Sequence, residues 1–584
     1  LAILILTLNR VIYGAVRDQI PPLPEKSSVS EPVYQQISYA DRKARRIPSA
    51  DRLGFLGMVC QSGMHYEQAA QCYRLAVSKR NSRWIWNYYL GYLDKEMGNT
   101  GEAVKNFTEV LKKDSLNNMA LYYIGEGYQD MGLNDKAEAI FKRIADRPDN
   151  SISPSSLTRK DYFTLRTYAM FQLSRIFLGT RRTDLAEQTL KDIIRNQSSF
   201  GPAYRLLGNT YKTKGDEALS SHFITRANEL KNLTTPVDTL ADRLSRISRS
   251  DLYLLKQIDE AEKNAYPVWA IELINNAIHY NPDNKYLISK AIKIFLLLDL
   301  HKYALPYMEK HMRYFGDDIS EMKMVADLFM KKGLYSQSEK YFTLAVELQP
   351  DDIDSKLSII LCQGYVGLRK KALESLNELH QNNPDDLKVL TNGVYILLLL
   401  EEKELAKTYL NKLRSLYPEN PKGRQLAGII SEQDGNTERA LLLYEMSFKD
   451  DPEDLTTIHH LCDLLVKLNK WEKAIGYYSA ALEYHPNEPY LQESLAMILV
   501  MCPDTRLRNI NLGREYAERA FINKSSPGST RISAGQALAE AYAMLGDRKN
   551  AYACINATID LAKNQKASPE LITSLQTKLE LYSR

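Results

Sequence analysis

The residues that come nearest to a chemical centre are His459, His460 and Cys462, in the stretch TTIHHLCDLL. Imidazole nitrogen and thiolate sulfur are common zinc ligands, but several of them must converge on one ion. Adjacent side chains on a helix point about 100° apart, so the two histidines cannot share a metal. His459 and Cys462 stand one turn apart, yet no second cluster accompanies them. The six cysteines, at 60, 72, 362, 462, 502 and 554, form no CxxC, no CxxCH and no paired zinc-type spacing. Bound metal and covalent haem are therefore not expected. Within helices these thiols read as small hydrophobes, although an even number leaves disulfides open in an oxidising compartment. No GxGxxG, no phosphate loop, no HExxH and no GxSxG is present. The acid pairs Asp351 with Asp352 and Asp385 with Asp386 need only a role at helix starts. The reading is of a non-enzyme without a cofactor. With 76 Lys and Arg against 72 Asp and Glu, the charge balance also argues against a dominant nucleic-acid-binding surface.

The two acid pairs are 34 residues apart, and that interval organises the chain. Pro282, Gly316 in place of proline, Pro350, Pro384, Pro418, Pro452 and Pro486 keep it without a residue gained or lost. Gly57, Gly91 and Gly125 keep it too, as do Ala69, Ala103 and Ala137, and the large partners Tyr73, Phe107 and Phe141. In the second half Ala270, Ala304, Ser338, Ala372, Ala406, Ala440 and Ala474 repeat the pattern. Small residues where two helices cross, large ones beside them and a breaker at the end specify a helical hairpin that packs only on its neighbours. Proline ends each second helix because it cannot continue the hydrogen-bond ladder. The stretch RPDNSISPSSLTRKD at 147–161 interrupts the register as an inserted loop. KNLTTPVDTLADRLSRISRSD, after Leu230, matches no repeat and reads as a junction.

From 51 to 562 these registers resemble the tetratricopeptide repeat family, whose unit has this length. The resemblance implies an all-α fold, a right-handed superhelix of about 14 helix pairs in two arms, and protein binding. The expected organisation is an N-terminal array over 51–230, a junction over 231–250, a C-terminal array over 251–566 and a capping helix over 567–584. DRLGFLGMVCQSGMHYEQAAQCYRLA at 51–76, running on into WNYYLGYLDKEMGN, and CPDTRLRNINLGREYAERA at 502–520 look like bacterial envelope repeat proteins. Some of those stand beside or are fused to cytochrome and other respiratory modules, so any electron-transfer link would lie in a partner. First helices line the concave face in this family. That rule gives Tyr88, Tyr92, Tyr122, Glu126, Phe171, Arg175, Arg205, Asn209 and Lys212 as protein-binding candidates. Arg205, Asn209 and Lys212 resemble the carboxylate clamp that holds a peptide terminus. In the second arm IFLLLDL at 294–300 and YILLLLEE at 395–402 exceed the usual apolar stripe, as interior between units or as a docking face.

The first residues, LAILILTLNRVIYGAV, read as the tail of a signal peptide or membrane anchor, or else as an N-terminal amphipathic helix, over 1–16, and 17–50, rich in Pro, Ser and charge, as a linker. The expected function is a scaffold for protein subunits, among them cytochrome or secretion components, on the periplasmic side of the cell envelope. A soluble peptide-binding adaptor or co-chaperone in the cytoplasm and a polysaccharide-export scaffold are the alternatives.

Overall fold

The computed structural model describes residues 14–147, 163–230, 235–264, 266–523 and 526–583. The apolar run at the start and nearly all of the inserted loop lie outside them. Among the described residues there are 32 α-helices and no strand, helix making up 79% of them. None of these helices is long and apolar enough to cross a membrane.

Successive helices pair as the register predicts: Ala50–Ser62 with Tyr66–Val77, Trp84–Glu96 with Thr100–Lys113, Asn118–Asp130 with Asn134–Ala145, and onward to Gly528–Met544 with Arg548–Asn564. The period-34 glycines sit where the two helices of a pair touch. A Cβ on Gly57 would stand 2.6 Å from the Tyr73 ring, and one on Gly125 would stand 2.7 Å from Phe141. The small residue and the large one are two halves of one contact. Most hairpin turns place one residue with positive φ just after the first helix. Gly98, Gly132, Gly215, Gly333, Gly367, Gly435 and Gly546 supply it in seven pairs, while Met64, Arg181, Asp299, Glu401 and Asn469 adopt it in others. The second acid of each joint does more than favour the helix dipole. Asp352, Asp386 and Asp454 cap the next first helix, their carboxylates accepting from the backbone N–H of Ser355, Val389 and Thr457.

Three segments depart from the expected pattern. Residues 17–50 are not a linker throughout, because Glu31–Arg46 is a helix. Its Val33, Ile37, Ala40 and Ala44 recur at helical spacing and enter the same core as Leu53, Leu56 and Tyr73. The Arg45 guanidinium then fastens the preceding chain through Asp41 and the carbonyls of Arg17, Ile20 and Pro21. In the pair that has Gly316 instead of proline, the second helix is broken. His301–Ala304 is followed by a 3-10 turn at Leu305–Tyr307 and by Met308–Phe315, because Pro306 brings no N–H to the ladder. Finally, the chain divides into compact units at Leu1–Leu328 and Phe329–Arg584. The expected junction, 231–250, lies inside the first unit and carries the helix Thr239–Ile247.

Candidate protein-binding grooves

In the first unit the helix Thr239–Ile247 is seated on the first helices of three successive pairs. Asp238 caps it, Oδ1 accepting from the backbone N–H of Leu240 and Ala241 at 2.9 and 3.2 Å. Its Oδ2 accepts from the Tyr88 hydroxyl at 2.8 Å and the Tyr123 hydroxyl at 2.9 Å. Tyr89 donates to the Leu240 carbonyl, Gln36 to that of Ile247, and Ser248 to that of Ser62. Leu244 is buried in the core containing Leu53, Tyr73 and Tyr89. The segment is a strap across the face that the sequence nominates for partners.

Burial dominates the electrostatics there. It pushes the Tyr88 and Tyr123 hydroxyls well above the usual phenol range, which keeps both as donors. The Asp238 carboxyl is raised by the same desolvation, in opposition to the four donors around it. A polar cavity of about 210 Å³ remains beside the strap, walled by Tyr92, Tyr123, Glu126, Asp238 and Trp269. Lys95 ion-pairs with Glu126 at 3.3 Å on this wall and lies over the Tyr123 ring at 5.0 Å.

The nominated residues therefore meet different fates. Tyr88 and Tyr122 are 1% and 0% exposed. Tyr88 holds the strap, and Tyr122 accepts a hydrogen bond from Gln172 at 3.1 Å. Tyr92 and Glu126 line the cavity. Phe171 is buried edge-on against Phe200, and Arg175 donates to Gln172 at 2.9 Å. Arg205, Asn209 and Lys212 share one face of the helix Gly201–Thr213, with Asn209 and Lys212 exposed. Arg205 is already engaged with Asn228 on the paired helix, at 2.9 Å. Sequence reasoning missed Tyr89, Tyr123 and Asp238. Only Asp238 left a trace, as the Asp of VDTLADRL at a helix start.

The second unit has an aromatic ladder that the sequence did not single out. Tyr335 and Tyr365 stack with centroids 4.3 Å apart, and the hydroxyls of Tyr365 and Tyr395 lie 3.0 Å apart. Tyr365 and Tyr395, on the first helices Ile353–Tyr365 and Leu387–Leu399, remain 39% and 43% exposed. Half-buried Leu361 and Leu398 belong to the underlying core, and Lys388 pairs with Asp354 at 2.7 Å on these same helices. Within the two apolar stretches Phe295, Leu296, Ile396 and Leu397 are interior, which accounts for most of their excess hydrophobicity. His459 packs on Tyr490 and His460 stacks on Tyr444, so they face different neighbours. Cys462 is buried.

Residues 119–150 and 324–352 match tetratricopeptide repeat family models. No curated protein matches the chain. Among solved structures the chain is similar to yeast Tom70, at 14% identity over 91% of this chain and 95% of that one, with a TM-score of 0.36. It is also similar to the APC/C hetero-tetramer Cut9-Hcn1, at 13% over 86% and 99%, with a TM-score of 0.30. YrrB, a TPR protein with an unusual peptide-binding site, is similar at 18% over 35% and 97%, with a TM-score of 0.28. The fold assignment rests on the repeat register and the helix pairing rather than on these superpositions.

Proposed function

We propose that this chain is a non-enzymatic scaffold of the cell envelope that holds other proteins through the first helices of its repeats. Stacked helical hairpins offer extended surfaces with little else to do chemically, and tetratricopeptide repeats as a class bind proteins and peptides. The observation that carries the reading is the half-exposed ladder of Tyr365 and Tyr395 over Leu361 and Leu398. Aromatic rings with a polar tip at a partly apolar face are the usual anchors of protein interfaces. In the first unit the corresponding face at Tyr88, Tyr89 and Tyr123 is covered by the strap, so partner binding is assigned first to the second unit. Envelope components, among them cytochrome or secretion subunits, are the proposed partners, with the array on the periplasmic side. The test begins with a mild-detergent pull-down from native membranes with the full chain. A co-purifying subunit is then isolated and its affinity measured for wild type and for Tyr365→Ala with Tyr395→Ala. A loss of tenfold or more, about 1.4 kcal/mol per decade, is expected; undiminished affinity would remove the ladder as the site.

A second reading keeps the clamp. Asn209 and Lys212 are exposed on one helix face, and a partner carboxylate would have to draw Arg205 away from Asn228. Changing Arg205 and Asn209 to Ala tests it, since a clamp ligand would be lost and a ladder ligand would not.

A further inference from the structure

The helix Glu31–Arg46 has a solvent face that none of the foregoing uses. Tyr39, Arg42, Lys43 and Arg46 stand at i, i+3, i+4 and i+7, which places them on one side, and all four are exposed. The opposite side is fixed in the core by Val33, Ile37, Ala40 and Ala44, so the cations cannot turn inward. Tyr39 is 50% exposed with the Lys43 ammonium 4.4 Å over its ring, and Ile47, just past the helix, is 40% exposed. Arg42 donates to the Ser38 hydroxyl, and Arg42, Lys43 and Arg46 have no acidic partner among the described residues. The nearby acids are engaged elsewhere: Asp41 by Arg45, and Asp51 by Arg83 and Trp86. Two exposed acids, Asp18 and Glu25, remain in the preceding segment. Arg17 adds its charge to the same end of the helix, its guanidinium donating to the carbonyls of Arg45 and Arg46.

We infer that this face docks on an anionic phospholipid surface. The choice of ligand rests on the envelope reading above. The chemistry is that of a basic patch facing headgroups: three cations without an acidic partner for lipid phosphates, with an aromatic and a branched aliphatic side chain beside them for the headgroup boundary. The face also follows, in sequence, the apolar run LAILILTL, so attachment of that run to a bilayer would bring the cations to the headgroups. A nucleic acid would satisfy the charges but would leave Ile47 without a counterpart, which favours lipid.

The experiment uses the full chain and two vesicles, pure phosphatidylcholine and phosphatidylcholine with about 30% phosphatidylglycerol. Sedimentation is measured at about 50 mM and about 300 mM salt. Preferential binding to the anionic vesicle, weakened by salt, is expected. R42A/K43A/R46A lowers that partition by roughly a hundredfold, at about tenfold or less per cation removed. A charge-matched control, K370A/R439A/K449A, changes it less than about twofold. Circular dichroism confirms equal helicity, since all six positions are exposed. Equal binding to both vesicles, or an unaffected R42A/K43A/R46A variant, overturns the inference and leaves membrane attachment through the apolar run standing. Absence from both vesicles overturns attachment as well. Binding to single-stranded RNA with the same dependence on Arg42, Lys43 and Arg46, and none to vesicles, reassigns the face and overturns the lipid proposal.

Discussion

Placing alanine at two helical glycines of the second unit should move stability in opposite directions. Gly428 lies on the helix Pro421–Gln433, where a Cβ would stand 2.5 Å from Tyr444 Cε1 and 2.7 Å from Cδ1. Ordinary carbon contacts begin near 3.5 Å, so the ring would have to retreat by roughly 1 Å. It has little room: Tyr444 is fully buried, His460 stacks on it, and its hydroxyl donates to Glu432 at 2.9 Å. Overpacking of this kind costs about 1–3 kcal/mol, with the upper end expected because the hydrogen bond to a carboxylate is disturbed as well. Replacing glycine within a helix returns about 0.8–1 kcal/mol. The net expectation for Gly428→Ala is a loss of about 1–2 kcal/mol. Gly476, on the helix Trp471–Tyr484, has nothing within 4 Å of its would-be Cβ. Gly476→Ala should therefore gain about 0.8–1 kcal/mol from propensity alone. Repeat arrays need not unfold in one step, so local amide hydrogen exchange over 421–450 and 455–484 in the full chain is the suitable assay. If Gly428→Ala protects its repeat as much as Gly476→Ala does, the crossing glycines are not packing positions and the register argument loses its physical basis.

Asp238→Ala removes a helix cap and leaves the Tyr88 and Tyr123 hydroxyls without their acceptor, a loss of about 3–5 kcal/mol; exchange should accelerate over 239–247 and 84–130 while 489–522 stays unchanged, and uniform protection would show the strap to be incidental. Burial raises the Glu493 carboxyl to about 7, against its ordinary 4.5. The unfolded chain releases this proton first, so the site costs nothing below about pH 4.5 and progressively more up to pH 7, about 3 kcal/mol in all. Glu493→Gln should accordingly raise the melting temperature at pH 8 and leave it unchanged at pH 4. At Glu321 burial pushes the other way from the outcome: hydrogen bonds from His311, Ser289 and Lys293 outweigh it and hold the carboxyl at about 2. This stabilisation is present above pH 4.5 and is lost as pH falls toward 2, so Glu321→Gln should flatten the acid limb of a stability titration over that window; an unaltered limb would count against the assignment.

What was legible in the sequence is what repeats. Gly57 with Tyr73 and Gly125 with Phe141 could be paired from spacing alone because each contact lies inside one hairpin, a few turns apart. The hairpin turns were legible only in part, since Asp299, Glu401 and Asn469 adopt the positive φ that glycine adopts elsewhere. The helix Glu31–Arg46 was hidden by composition: Pro, Ser and charge dominate the segment, while Val33, Ile37, Ala40 and Ala44 carry its period. The candidate site was less legible for a different reason. The first-helix rule leads to the face that carries Tyr88 and Tyr92, but nothing local announces that VDTLADRL covers it. Tyr88 and Asp238 are 150 residues apart, and contact across such a distance leaves no periodic mark in either segment.

That separation has a consequence on the ribosome. Most contacts in stacked hairpins are between neighbours, so the pairs from Ala50 to Ala145 assemble as they emerge. The clasp cannot close until Asp238 has been synthesised. At 5–20 residues per second the delay after Tyr88 is roughly 8 to 30 s. Until then the nascent chain presents Tyr88, Tyr89 and, once it has been made, Tyr123 without the strap that covers them in the finished protein. A factor attending its synthesis thus meets a different surface from the one its mature partners meet, and closure of the strap ends that exposure.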